Sequence, residues 1–189
     1  MDIMKKFFLN DVWLKGLLVI ALLTFMSAGC AKAPRTFDPS MKGPQVMVEP
    51  ESVSLGVVAL AKTPIVFKGK GFDPNDSVFV SLLNVKKGDK TVDLPIAEGE
   101  ADKDGNFTAP VGTISKVSDI LNAQIASNEN LETVIIVNQP TIPAGTYTAK
   151  AISFNSDETA TCEITFKEPL LLDAMMDMLG RLSGKVKKK

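Results

Sequence analysis

The sequence of 189 residues contains no histidine, one tryptophan (Trp13) and two cysteines, Cys30 and Cys162. Histidine is the commonest general base and a common metal ligand, so its absence removes the usual centre of a hydrolase or a metal site. Two cysteines allow at most one disulfide bond, so packing must provide most of the stability. The formal net charge of −1 gives no general attraction to nucleic acid.

The motifs of common catalytic classes are also missing. The sequence has no Gly-x-Ser-x-Gly turn, no Ser-x-x-Lys motif and no phosphate-binding glycine loop followed by a helix. Cys162 lacks the histidine that would activate a thiol, and its place in an alternating strand pattern predicts a structural residue of the core. We therefore predict that the protein is not an enzyme and has no catalytic residue, no metal and no cofactor.

Two acidic stretches, residues 73–76 and 102–106, are predicted to be turns. The second begins like an EF-hand calcium loop, but Phe107 and Thr113 stand where such a loop needs glycine and glutamate. A hairpin turn with Gly105 in a left-handed conformation explains the same residues. A calcium site between domains is the alternative that these acids leave open.

What the sequence does contain begins with a short apolar run, residues 17–26. Three lysines precede this run, and Ser27, Ala28 and Gly29 follow it. A membrane-spanning helix needs about 20 apolar residues, so the run is too short to span a bilayer. The order of a cationic region, an apolar region and small residues is typical of an export signal.

Cys30 follows Ala28 and Gly29 directly, and this arrangement resembles the lipobox of bacterial lipoproteins, although Ser27 stands where that family usually has leucine. The resemblance implies a signal peptide over residues 1–29, cleavage before Cys30, and diacylglycerol on its thiol. It also implies that the protein is anchored to a membrane. Ala31, in place of the aspartate that retains lipoproteins on the inner membrane, implies the outer membrane. A plain signal peptide with an incidental cysteine is the alternative.

The region after Cys30 divides into a spacer and a series of strands. Residues 30–45 contain three prolines and little apolar periodicity, which predicts a flexible tether. In residues 46–168, short runs of Val, Ile, Phe and Thr alternate with Gly, Pro, Asn and Asp, which is typical of an antiparallel sandwich. Pro50 predicts an edge strand over residues 46–56. Residues 144–154 and 159–167 are predicted to pair as a hairpin.

The stretches GKGFDPNDSVFVSL, ADKDGNF and IPAGTYTAKAISF resemble the bacterial Ig-like domains of envelope proteins. The resemblance implies that Tyr147 forms a tyrosine corner, in which its hydroxyl bonds back to the backbone. Ala149 stands where antibody domains have a cysteine, so the resemblance is to the general architecture. We expect an all-β fold, an Ig-like antiparallel β-sandwich with a short helical insertion and a C-terminal amphipathic helix.

The helical insertion is predicted over residues 115–127. Ile114, Val117, Leu121 and Ile125 recur at helical spacing, which favours one apolar helix face. Such a helix could close one end of the sandwich or carry a surface for a partner.

Residues 169–189 are predicted to form an amphipathic helix with a basic tail. Pro169 suits a first helical turn, and Asp173, Asp177 and Arg181 lie opposite a wide apolar stripe. The stripe comprises Leu171, Leu172, Met175, Met176, Met178, Leu179 and Leu182. Three interpretations remain open: the stripe packs on its own domain, binds a partner or a second copy, or lies on an anionic membrane guided by the terminal lysines.

Together these patterns predict a lipid-anchored protein of the cell envelope that acts as a non-catalytic binding or assembly module. Its expected partners are the membrane, through lipidated Cys30, and another envelope protein, with no nucleic acid. The alternatives are a structural protein that associates with copies of itself and a glycan-binding surface protein.

Overall fold

The computed structural model describes residues 36–137 and 140–188, so the predicted signal peptide and Cys30 lie outside the described residues. From Phe37 onward the chain forms one compact unit. Its strands are β1 (Gln45–Glu49), β2 (Ser52–Ser54), β3 (Val66–Lys70), β4 (Ser77–Lys87), β5 (Lys90–Glu100), β6 (Phe107–Pro110), β7 (Ala123–Ser127), β8 (Thr133–Val137), β9 (Gly145–Ser153), β10 (Thr159–Lys167) and β11 (Val186–Lys188). Its α-helices are α1 (Val57–Lys62) and α2 (Leu171–Leu182), and a π-helical turn covers Ser115–Ile120.

Two sheets form the body of the fold. One has the order β1-β3-β6, the other has the order β2-β10-β9-β4-β5, and every pair in them is antiparallel except β2 with β10. Alternate residues of the strands point inward, so Phe67 on β3, Val80 on β4 and Ile164 on β10 are fully buried in one core. The expected all-β, Ig-like antiparallel sandwich is confirmed.

The first predicted strand is divided between the two sheets. β1 pairs with β3 at the edge of the smaller sheet, and β2 pairs with β10 at the edge of the larger one. The Glu49–Pro50 peptide bond is cis and lies between them. Because proline cannot donate a ladder hydrogen bond, both halves occupy edges, as Pro50 predicted.

Tyr147 forms the predicted tyrosine corner near the start of β9. Its hydroxyl donates a 2.7 Å hydrogen bond to the carbonyl oxygen of Pro143, four residues upstream. Its ring contacts Phe166 of β10 edge to face, with the ring centroids 5.8 Å apart. The predicted β9–β10 hairpin is present, and Cys162 on it is half-buried against the core.

The turn over residues 102–106 is not part of a hairpin, and that prediction is wrong. β5 pairs with β4 and β6 pairs with β3, so this turn carries the chain from one sheet to the other. The Asp102 carboxylate accepts the N–H groups of Asp104 and Asn106, and the bond from Asn106 chiefly holds the pKa of Asp102 below its usual value. Gly105 has φ +73°, and a Cβ there would collide with the carbonyl oxygen of Phe72.

The insertion over residues 115–127 is helical only in its first half, so its predicted length is wrong. After the π-helical turn, the chain enters β7, which pairs with β8 in a third sheet of order β11-β8-β7. Val117 and Leu121 are fully buried, but Ile114 and Ile125 are exposed. The four residues suited a helix face, but strand pairing satisfies the backbone groups of β7 and turns Ile125 outward.

The predicted tether over residues 30–45 is shorter than expected. The side-chain oxygen of Gln45 accepts the N–H of Asp38, and its amide nitrogen donates to the carbonyl oxygen of Asp38, both at 2.9 Å. The ammonium of Lys70 lies 5.4 Å from the centre of the Phe37 ring. Residues from Phe37 therefore belong to the domain.

Asp76 connects the turn before β4 to the turn after β9. Its carboxylate, in a residue that is 3% exposed, accepts the N–H groups of Asn155 and Ser156 and the side-chain amide of Asn155. Desolvation raises the pKa of Asp76, but the hydrogen bonds together outweigh it, so the pKa lies below 3.8.

We predict that Asp76→Asn reduces the acid sensitivity of the fold. Because the folded pKa is depressed, the carboxylate stabilises the protein above its unfolded pKa of about 3.9 and loses that contribution as pH falls through the folded pKa. Urea unfolding from neutral pH to about pH 2 should therefore show a smaller loss of stability in the variant than in the wild type. Equal losses in both proteins would contradict this account.

Candidate functional site

The candidate site is the outward face of α2, whose two ends are well defined by local sequence. At its start, the Asp173 carboxylate accepts the N–H of Leu170 at 3.0 Å, as an acidic residue at the third helical position commonly does. At its end, Gly184 has φ +73°, and the N–H groups of Gly184 and Lys185 bond to the carbonyl oxygens of Arg181 and Gly180. This is a Schellman motif, which ends the helix at a fixed place.

The inner face of α2 is polar and binds the start of α1. The Asp177 carboxylate accepts the N–H groups of Val57 and Val58 at 2.9 and 2.8 Å. The N-cap of α1 is Gly56, which offers no side-chain acceptor, so Asp177 satisfies donors that α1 itself leaves free. The negative charge also lies at the positive end of the helix dipole.

Asp173 and two glycines bring α2 close to the domain. The hydroxyl of Ser54 on β2 donates to the Asp173 carboxylate at 2.5 Å. A Cβ on Gly56 would lie 2.7 Å from the Cβ of Asp173, and one on Gly180 would lie 2.9 Å from Val186. The absence of a side chain at these two positions permits the close approach.

The apolar stripe of α2 faces outward as a consequence. None of the residues of α2 is buried. The exposed fractions are 82% for Leu171, 68% for Leu172, 54% for Met175, 38% for Met176, 59% for Met178, 56% for Leu179 and 75% for Leu182. The seven residues predicted from the sequence as a partner-binding stripe thus lie together on one exposed face.

The structure rules out one of the three interpretations of this helix. α2 does pack on its own domain, but it does so through its aspartates, so the interpretation that buries the apolar stripe against the domain is wrong. The hydrogen bonds that the two carboxylates make to Ser54, Val57 and Val58 fix this orientation. Among the described residues, nothing covers the seven apolar side chains.

The charged residues around this face are unevenly distributed. Both acidic residues of α2 are on its inner side, whereas Arg181, Lys185, Lys187 and Lys188 are exposed. The predicted basic tail is not an extension of the helix, because β11 pairs in parallel with β8 and Val186 is buried in the core. This pairing holds Lys187 and Lys188 in a strand.

Other features of the described residues offer no comparable site. No group of three or more acidic or cysteine side chains in residues 36–137 and 140–188 is arranged to hold a metal ion. In the same part of the chain, no helix is long and apolar enough to cross a membrane. An open cleft of about 380 Å³ lies beside Phe79, Ile96 and Pro110, where Glu98 is the one ionisable lining residue.

Sequence reasoning identified the apolar stripe but missed what fixes its orientation. The sequence placed Asp173 and Asp177 opposite the stripe, but it did not indicate that this polar side faces the domain. The signal that could have corrected this lies in Gly56, a helix start without a capping side chain, but α1 is only six residues long and was not predicted.

Comparisons with known proteins give only weak likenesses. No family model and no curated protein matches the sequence. Among solved structures, macromomycin is 20% identical with a TM-score of 0.36, and the match covers 66% of this chain and all of that one. A β-glucosidase from Listeria innocua in complex with glucose is 13% identical with a TM-score of 0.33, over 69% of this chain and 17% of that one. Likenesses this weak carry no argument about function.

We predict that Asp177→Ala destabilises the domain by about 1–3 kcal/mol, because two backbone donors lose a charged acceptor. The matched control is Met178→Ala, one residue further along the helix, which should change stability by less than about 0.5 kcal/mol because this side chain is exposed. Urea unfolding of both variants measures the difference. If the apolar face were buried instead, Met178→Ala would cost about 2–5 kcal/mol and reverse the order.

Proposed function

We propose that this protein is an exported, lipid-anchored and non-catalytic binding module of the cell envelope, and that the outward face of α2 is its binding surface. The single observation that carries the proposal is the exposure of seven large apolar side chains on one helix face. Contiguous apolar patches of this kind are rare on monomeric proteins and mark interaction sites.

The exposed face is not a requirement of the fold. The sandwich has a continuous core that includes side chains from both of its sheets and from α1. α2 is attached to this body through polar contacts, so a polar outward face would serve the fold equally well and would avoid contact between apolar groups and water. The apolar character of the face therefore has a purpose other than stability.

The proposed anchor is Cys30, in the lipobox-like sequence that follows the apolar run. One acyl chain gives only marginal membrane binding, but two or three chains on a single residue hold a protein firmly. We place the protein at the outer membrane because Ala31, and not aspartate, follows Cys30.

The absence of a catalytic role rests on the chemistry of the sequence. With no histidine, acid-base catalysis would need a lysine or carboxylate of shifted pKa in an accessible site. Burial lowers the pKa of Lys116, but this residue is 6% exposed and its ammonium donates to the Thr63 carbonyl at 2.6 Å. Its contacts give it a structural role at the end of α1.

We predict that Cys30 carries the lipid. Growth with radioactive palmitate should label the wild-type protein, and Cys30→Ser should lose the label because its hydroxyl is not the acceptor in this chemistry. Cys162→Ser is the matched control and should remain labelled. Label on Cys30→Ser, or none on the wild type, would refute the anchor.

We predict that the α2 face is occupied in the cell envelope. A photoreactive benzoylphenylalanine in place of Met178 should form an adduct in intact envelopes, which mass spectrometry then identifies as protein or lipid. The control is the same substitution at Phe154, which is 70% exposed at the far end of β10 from α2. Equal yields at both positions, or no adduct at Met178, would contradict the proposed binding surface.

A further inference from the structure

We propose that the occupant of the α2 face is the surface of an anionic phospholipid bilayer. This inference rests on the proposed function, because it names the partner of the same face. The observations that carry it are the chemistry of the face and the exposed cations at the C-terminal end of α2.

The outward face of α2 has the chemistry that an acyl-chain boundary accepts. Its members are leucine and methionine, with no acidic side chain among them. The carboxylates of Asp173 and Asp177 are directed toward Ser54 and α1. Entry of the apolar face into a bilayer therefore does not require the desolvation of either carboxylate. An interfacial helix usually has its polar side in water, whereas here the domain covers that side.

The exposed cations at the C-terminal end of α2 match anionic headgroups. They are Arg181 on the last turn and Lys185 shortly after the helix, whereas Lys187 and Lys188 lie on β11, where Lys187 lines a cleft with Glu129. Cations beside an apolar helix face are typical of segments that bind anionic membranes. The outward face of α2 in a second copy offers no anionic group to these cations, whereas an anionic phospholipid offers its phosphate.

These groups are held in place before binding occurs. The Schellman motif fixes the end of α2, and the N–H of Ile135 on β8 donates to the carbonyl oxygen of Lys185. A preorganised surface avoids the entropy loss of a segment that must fold on the membrane.

Tryptophan fluorescence of the full lipidated chain on vesicles tests this inference. Cleavage before Cys30 removes Trp13, the single native tryptophan. Met178→Trp therefore reports on the face alone, and Phe154→Trp is the matched control. The vesicles contain either phosphatidylglycerol with phosphatidylethanolamine or phosphatidylcholine alone. Brominated acyl chains quench tryptophan in the bilayer, and iodide quenches tryptophan in water.

On the phosphatidylglycerol vesicles, we expect a blue shift for Met178→Trp and severalfold stronger quenching by brominated lipid than on phosphatidylcholine. High salt should reduce this difference, and Phe154→Trp should remain accessible to iodide. If Met178→Trp remains accessible to iodide on anionic vesicles, the inference is wrong. A blue shift without lipid that grows with protein concentration would assign the face to a second copy and also overturn it.

Photocrosslinking at position 178 distinguishes a failure of the lipid inference from a failure of the proposed function. A protein adduct at position 178, together with iodide access on vesicles, would reject lipid as the occupant but keep the face as a binding surface. No adduct together with iodide access would reject both proposals.

Discussion

The proposed function depends on two carboxylates that orient α2 with its apolar side away from the domain. Asp177 accepts the first N–H groups of α1, and Asp173 accepts the hydroxyl of Ser54, so the polar side of α2 faces the domain. An amphipathic helix normally buries its apolar side, because burial of apolar area is the dominant favourable term in folding. Here Gly56 leaves the start of α1 without a side-chain cap, and a charged acceptor for that helix end comes from α2. The apolar stripe remains outside as the direct result.

The sandwich and the additions to it divide the molecule into a structural part and a part available for binding. The two sheets share one core and contain the tyrosine corner. Around them lie α1, α2 and the β7-β8-β11 sheet, in which β11 fixes the lysines that follow α2. The proposed binding surface is therefore an attachment to the sandwich and not a part of it.

Much of the fold could be predicted from the sequence because strands of a sandwich have a short, local signal. Alternating residues predicted the hairpin of β9 and β10, and a proline between β1 and β2 located both at edges. The length of the insertion could not be predicted, because four apolar residues at helical spacing also fit a turn followed by a strand. The members of the α2 face were predictable from period alone, but its direction was not, since it depends on contacts between residues about 120 positions apart.

The central claim, that α2 exposes its apolar side, can be tested on native side chains by methionine oxidation. A chain beginning at Arg35, without detergent and at low concentration, is treated with dilute peroxide, and mass spectrometry follows sulfoxide formation at each methionine. The account predicts that Met175 and Met178, which are 54% and 59% exposed, react about as fast as Met41 at 56% and several times faster than half-buried Met47. Oxidation of Met175 and Met178 as slow as that of Met47 would contradict it.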